Sequence, residues 1–120
     1  MATFRAMLAN DNMLCSTLHW IDDATIDTGR IISIQRNERD PHQCYLGNTI
    51  GLYPAGCAAI LKVVDMIEVG LEPHARAPEQ TGSYYSFPDQ GSLEAFSQAG
   101  HQWANPEFLT ALLSRYLPAQ

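Results

Sequence analysis

The chain has 120 residues, 46% hydrophobic and 17% charged, an ordinary globular balance that excludes intrinsic disorder and suits a single domain with one core. Its net charge of −6, with no basic run anywhere, excludes the concentrated positive charge that a nucleic-acid partner requires. No apolar run approaches the roughly 18 residues of a membrane span, and the start MATFRAMLANDN has no secretory core. With three cysteines in no close framework, a soluble cytoplasmic protein with no nucleic-acid or membrane partner is expected.

From the N-terminus, Phe4, Met7 and Leu8 recur at helical spacing, predicting a short amphipathic helix over 2–9 with Thr3 as a cap, ended by the turn chemistry of Asn10-Asp11-Asn12. Residues 13–21, MLCSTLHWI, are apolar and β-branched without helical period and predict a mostly buried strand. Residues 22–29 form a loop, and 30–36, RIISIQR, a second strand antiparallel to the first. After the polar break NERDPHQ, Leu46, Ile50, Tyr53, Cys57, Ile60, Leu61, Val64 and Ile67 mark one apolar helix face, ending at Gly70 and kinked or divided at Pro54. Residues 71–91 are irregular, with an extended SYYSFP. A short helix over 92–99 stops at Gly100. Asn105-Pro106-Glu107 opens a last helix by its cap, its first-position proline and its first-turn acid, with Phe108, Leu109, Leu112, Leu113 and Tyr116 as the buried face.

These elements give an α+β fold with only two strands. A two-stranded sheet is seldom stable alone, so the chain reads like the second half of something larger. The strand over 13–21 is then expected to expose an edge and invite self-association.

The chemistry concentrates at Asp27-Thr28-Gly29. Asp and Gly also make ordinary turns. An aspartic protease would need a small residue after the tripeptide and an all-β chain with a flap, whereas here Arg30 follows and helices take up much of the rest. His42 and Cys44 lie close in sequence but no Cys-x-x-Cys or His-x-x-x-His pairing completes a metal-ligand set, and Cys44 and Cys57 are expected to be small apolar fillers. There is no Gly-x-Ser-x-Gly elbow and no glycine-rich phosphate loop.

Residues 16–35, STLHWIDDATIDTGRIISIQ, resemble the folate-dependent formyltransferase family. That family has a strand of the type Gly-Val-Thr-hydrophobic-His, a short acidic loop, Ile/Leu-Asp-Thr-Gly, and an apolar strand ending in Gln. Thr17, His19, Asp22, Asp27, Thr28, Gly29, Ile31, Ile32 and Gln35 fall in that register. More loosely, MATFRAML is similar to the helix after the family's first catalytic motif, the helix ending at Gly70 matches its layout, and TGSYYSFPD is similar to a Tyr-rich segment of some members. The resemblance spans about 2–89, with 90–120 a helical extension.

The resemblance implies transfer of a formyl group from 10-formyltetrahydrofolate to a small amine, with no metal. Asp27 takes the place of the catalytic carboxylate, and Asp22, Thr28, Gly29 and His19 support its loop. Such transfer passes through a tetrahedral carbon, and a carboxylate at a strand end can move the protons involved. Gly29 would let the backbone turn sharply beside it. His19 would orient or charge-balance Asp27, or be a strand histidine hydrogen-bonded to backbone. The resemblance implies a partial doubly wound α/β domain, since the family's Asn-x-His motif and the first half of its doubly wound sheet have no counterpart here. The chain is therefore expected to match the C-terminal part of the catalytic domain, inactive alone and completed by an N-terminal half, or else to be a non-catalytic binding or assembly module.

Overall fold

The computed structural model describes residues 1–21, 29–79 and 86–115. The fold is α+β, in the order α1 (Ala2–Leu8), β1 (Met13–His19), β2 (Ile31–Glu38), α2 (Tyr45–Ile50), α3 (Tyr53–Glu68), α4 (Gln90–Gln98) and α5 (Pro106–Ser114). Two compact units share it: one holds Met1–Asn12, Arg39–Gly51 and the chain from residue 85 onward, the other Met13–Glu38 and 52–84.

The first unit is organised by aromatic packing. Phe4 and Met7 of α1 and Phe96 of α4 are fully buried together, and Phe4 stacks on Phe96 with ring centroids 4.8 Å apart. Trp103 stacks on the Phe4 ring at 5.3 Å, and Tyr45 meets Trp103 edge-on at 5.1 Å. The strand-like stretch before α5 also completes α2, whose first-turn amides need partners from outside the helix: Tyr45 and Leu46 donate to the carbonyls of Gln102 and Trp103. Thr3, expected to cap α1, is instead buried inside it, and Met1 holds the cap position with no side-chain bond. In a helix that begins at Ala2, Thr3 is already the second helical residue and lies past the cap position.

The start of α5 follows its sequence signals, whereas α4 begins at Gln90, two residues before the expected start, and α2 takes an unexpected cap. Asn105 Oδ1 accepts from the Phe108 amide at 2.6 Å, with Pro106 opening α5. Asp89 accepts from the Ser92 amide at 2.7 Å and caps α4. That bond, with the Ser92 hydroxyl and the Arg5 charge behind it, holds the Asp89 carboxyl below the usual carboxylate range. Cys44, expected as an apolar filler, is buried and also caps α2, its Sγ accepting from the Gly47 amide at 3.4 Å. Beside it the buried Asn48 side chain accepts from the Asp40 amide and donates to the carbonyls of Asp40 and Gln43, pinning the turn that precedes α2. Gly100, at φ 79°, stops α4 where a Cβ would be strained. The α5 face is less covered than its pattern predicts: none of its residues is buried, and Leu109 and Leu113 are exposed. Tyr116 lies outside the described residues.

In the second unit β1 and β2 pair antiparallel from Met13↔Glu38 to His19↔Ile31, with a bulge between Leu18 and His19. Strand residues alternate in facing. Leu14, Ser16 and Leu18 share a face with their partners Asn37, Gln35 and Ser33, and α3 packs on it where Gly56 meets Ser16. β1 is therefore one-sided rather than mostly buried: Leu14 is buried while Met13, Cys15 and Thr17 are exposed.

The helical residues from Tyr45 to Glu68 divide at Gly51-Leu52, and Pro54 sits in the first turn of α3, where its missing N–H costs nothing. Taken together they form one run of 24 residues that is long and apolar enough, by length and composition only, to cross a membrane, although Lys62 and Asp65 break it into shorter uncharged stretches in the sequence. The α3 face turned to the sheet is not the expected one. Ala55, Gly56, Ala59, Val63 and Met66 are partly covered, whereas Tyr53, Cys57, Ile60, Leu61, Val64 and Ile67 are exposed. A helix comes close to two short strands most easily over its smallest residues, and here that requirement outweighs the size of the side chains left outside.

Truncation of Phe96 to Ala should cost the first unit about 3–5 kcal/mol, read as a lowered urea midpoint by far-UV circular dichroism. The Asp89 cap should act only while ionised. Because its folded-state pKa is depressed, its stabilisation is present above the unfolded pKa and lost as pH falls through the folded value. Acidification below about pH 4 should therefore loosen α4, and Asp89→Asn, a neutral cap, should flatten that dependence in a pH series of thermal melts.

Candidate functional site

Of the residues singled out from the sequence, His19 and Gly29 are described, and both lie at the loop end of the hairpin. Beyond β1 the ladder continues, with the Trp20 amide donating to the Arg30 carbonyl at 2.9 Å. The strands thus stay paired up to the ends of the segment 22–28. The outer edge of β2 is tied down at the same level, because Ile31 and Arg76 exchange both backbone hydrogen bonds, at 2.7 and 2.9 Å. The Arg76 guanidinium in turn pairs with Glu79.

Gly29 is required there by close approach. A Cβ built on it would overlap the Trp20 carbonyl and would sit 3.3 Å from His19 Nδ1. Gly29 is not among the positive-φ glycines, which are Gly70 and Gly100 in the described residues. The sharp turn expected of it is therefore an accommodation of two backbones in contact rather than a left-handed conformation.

His19 is half-buried on the adjoining strand, and its Nδ1 donates to the Trp20 carbonyl at 3.0 Å. A carbonyl can only accept, so the neutral ring carries its proton on Nδ1 and its lone pair on Nε2. This contact is the backbone-bonded strand histidine of the second sequence reading, and it also fixes the ring beside Gly29. Of the five residues expected at the site, the structure brings His19 and Gly29 together. Asp22, Asp27 and Thr28 lie outside the described residues, and so does the cleft rim expected at Asp27.

Sequence reasoning passed over Trp20. Its carbonyl receives His19 and bars a side chain at residue 29, and its indole Nε1 is buried without a protein partner among the described atoms. A tryptophan just before an acidic loop was the available signal. Among the described residues no group of three or more His, Cys, Asp or Glu could hold a metal ion. Cys15 and Cys57 are exposed free thiols, so Cys57 is not the buried filler expected of it.

Gly29→Ala should force the two backbones apart and cost about 1–3 kcal/mol, measured as a lowered thermal midpoint, while Gly70→Ala, with open space around its Cβ but a φ of 76°, should cost about 1 kcal/mol. Comparison with models of protein families, with curated proteins and with solved structures returns no match for this chain in any of the three.

Proposed function

We propose that this chain serves formyl transfer from 10-formyltetrahydrofolate to a small amine, as the C-terminal part of a formyltransferase-like catalytic domain. The observation that supports the reading best is the hairpin end. His19 and Gly29, ten residues apart in the chain and both within the register of the resemblance, lie against one another around the Trp20 carbonyl. Asp27 stands two residues before Gly29 in the chain, so connectivity alone keeps its Cα within about 7 Å of that fixed point, and proton transfer demands a positioned group.

In this reading the amine nitrogen would attack the formyl carbon, Asp27 would take up the proton the nitrogen loses, and as the tetrahedral carbon collapses its bond to the folate nitrogen would break and that proton would pass to the leaving nitrogen, releasing tetrahydrofolate. The 10-formyl folate supplies an acyl group on a nitrogen leaving group. His19, held by Nδ1, steadies the strand next to the loop and contributes a fixed dipole. An N-terminal half bearing the Asn-x-His motif supplies the rest of the pocket.

The second reading is a non-catalytic assembly module. It is favoured by one specific observation, the exposed apolar face of α3. The two readings separate in one experiment. The chain is combined, fused or in trans, with a formyltransferase N-terminal half carrying Asn-x-His, and release of tetrahydrofolate is followed with small amines as acceptors. Turnover in the combination that falls by about 100-fold or more in Asp27→Asn, with the thermal midpoint unchanged, supports catalysis. No turnover with any amine leaves the assembly module, and an Asn variant of near-full activity makes Asp27 a turn residue and overturns its catalytic role.

A further inference from the structure

Along α3 the residues Tyr53, Cys57, Ile60, Val64 and Ile67 follow one another at steps of four, three, four and three, the spacing of a coiled-coil seam. Every one of them is exposed, Ile60 by 48%, Val64 by 43% and Ile67 by 49%, and Leu61 flanks the stripe at 64%. At 100° per residue this stripe stands well round the helix from the face that carries Gly56, Ala59 and Val63 and meets the hairpin. Of the charged residues of α3, Lys62 and Asp65 lie on neither of these two faces, while Glu68 flanks the C-terminal end of the stripe on the same side as Leu61. The helix is three-sided: one side is on the sheet, one is polar, and one is apolar and bare.

We infer that the bare side of α3 pairs with the same side of a second copy of this chain. Three features of the stripe select that occupant. Its alternating steps of three and four let side chains of an identical helix interlock with it. It holds no charge, so two identical stripes meet without the repulsion that like charges on an interface would bring. Its size also fits: the large side chains of Tyr53, Ile60, Leu61, Val64 and Ile67, 43% to 64% exposed, together offer on the order of 500 Å². That is near the top of the range for the largest patch on a typical monomer, and two copies together would bury on the order of 1,000 Å², the lower bound of a specific interface.

A lipid bilayer suits the stripe less well, although the helical run is long enough to cross one. α3 carries a two-stranded sheet on its second face, and open sheet edges do not occur in the hydrocarbon region because their backbone groups would go unpaired. The inference does not depend on formyl transfer, and its test uses no folate.

The test is sedimentation velocity on the full chain over about 5–500 μM, with Ile60→Lys and Ile67→Lys measured beside the wild type. Both positions are exposed, so the variants should keep their far-UV circular dichroism. The wild type should pass from monomer to a plateau at dimer with a midpoint in the micromolar range, as an interface of this size allows. Either lysine should raise that midpoint at least 30-fold. A wild type that stays monomeric throughout, a plateau at another stoichiometry, or a dimer unchanged by both lysines overturns the proposal. So does a monomer that floats with phosphatidylcholine vesicles and loses that binding in Ile60→Lys, since the stripe then meets lipid. If one variant loses its helical signal, the other still reads the stripe, and the wild-type series decides without either.

Discussion

A helix can lie against two strands only as closely as the side chains between them allow, and the second unit is governed by that distance. Gly56 brings the backbone of α3 down to Ser16, where a Cβ would come within 3.3 Å of the hydroxyl oxygen. Once that contact sets the rotation of the helix, everything else on it follows. Ala59 and Val63 continue the covered side, and the larger Ile60, Leu61, Val64 and Ile67 are carried outward. The sheet face beneath is itself half polar, with Ser16, Ser33 and Asn37 each burying an oxygen that has no protein partner among the described atoms. Close approach of small residues contributes dispersion contacts there, but much less area leaves water than a leucine-lined contact would remove.

The first unit solves the same problem by the opposite means. Its helices are short, and none has a long apolar stripe to offer. It gathers a few large rings instead, with Phe4, Phe96 and Trp103 stacked and Tyr45 against their edge. Rings bury much area for few ordered torsions, so six- to nine-residue helices can be held without deep packing. Polar contacts then fix the arrangement: His101 Nε2 donates to the Met7 carbonyl at 3.1 Å, and Arg5 donates to Ser92 at 3.2 Å.

What the sequence made legible was mostly what local chemistry decides. Asn105-Pro106-Glu107 starts a helix because its cap, its proline and its acid act on the next few residues only, and Gly70 and Gly100 end helices for an equally local reason. The strand pair was legible because a polar, acidic stretch separates two runs of β-branched and apolar residues. The covered side of α3 was not. A periodic pattern identifies an apolar stripe, but α3 has two sides free of charge, one of large residues and one of small ones, and hydropathy favours the large. Cys44 illustrates the same limit in reverse: composition suggests a filler, and only its position one residue before α2 makes its sulfur an acceptor. At the candidate site the sequence marked Gly29 as special without giving the reason, which is the carbonyl of a residue nine positions earlier.

The aromatic core of the first unit joins residues from the two ends of the described chain, and that has a consequence for how the protein is made. The hairpin partners Met13 and Glu38 leave the ribosome close together, so that pairing can form early. Phe4 and Met7 must wait for Phe96. At about 5–20 residues per second, the chain between Phe4 and Phe96 takes roughly 5–18 s to synthesise, far longer than collapse or hairpin formation requires. Through that interval the N-terminal helix has its ring and its thioether exposed to whatever is nearby. The nascent chain is therefore a natural client for a chaperone at its N-terminus, and slowing translation between codons 40 and 90 would lengthen that dependence without changing the folded protein.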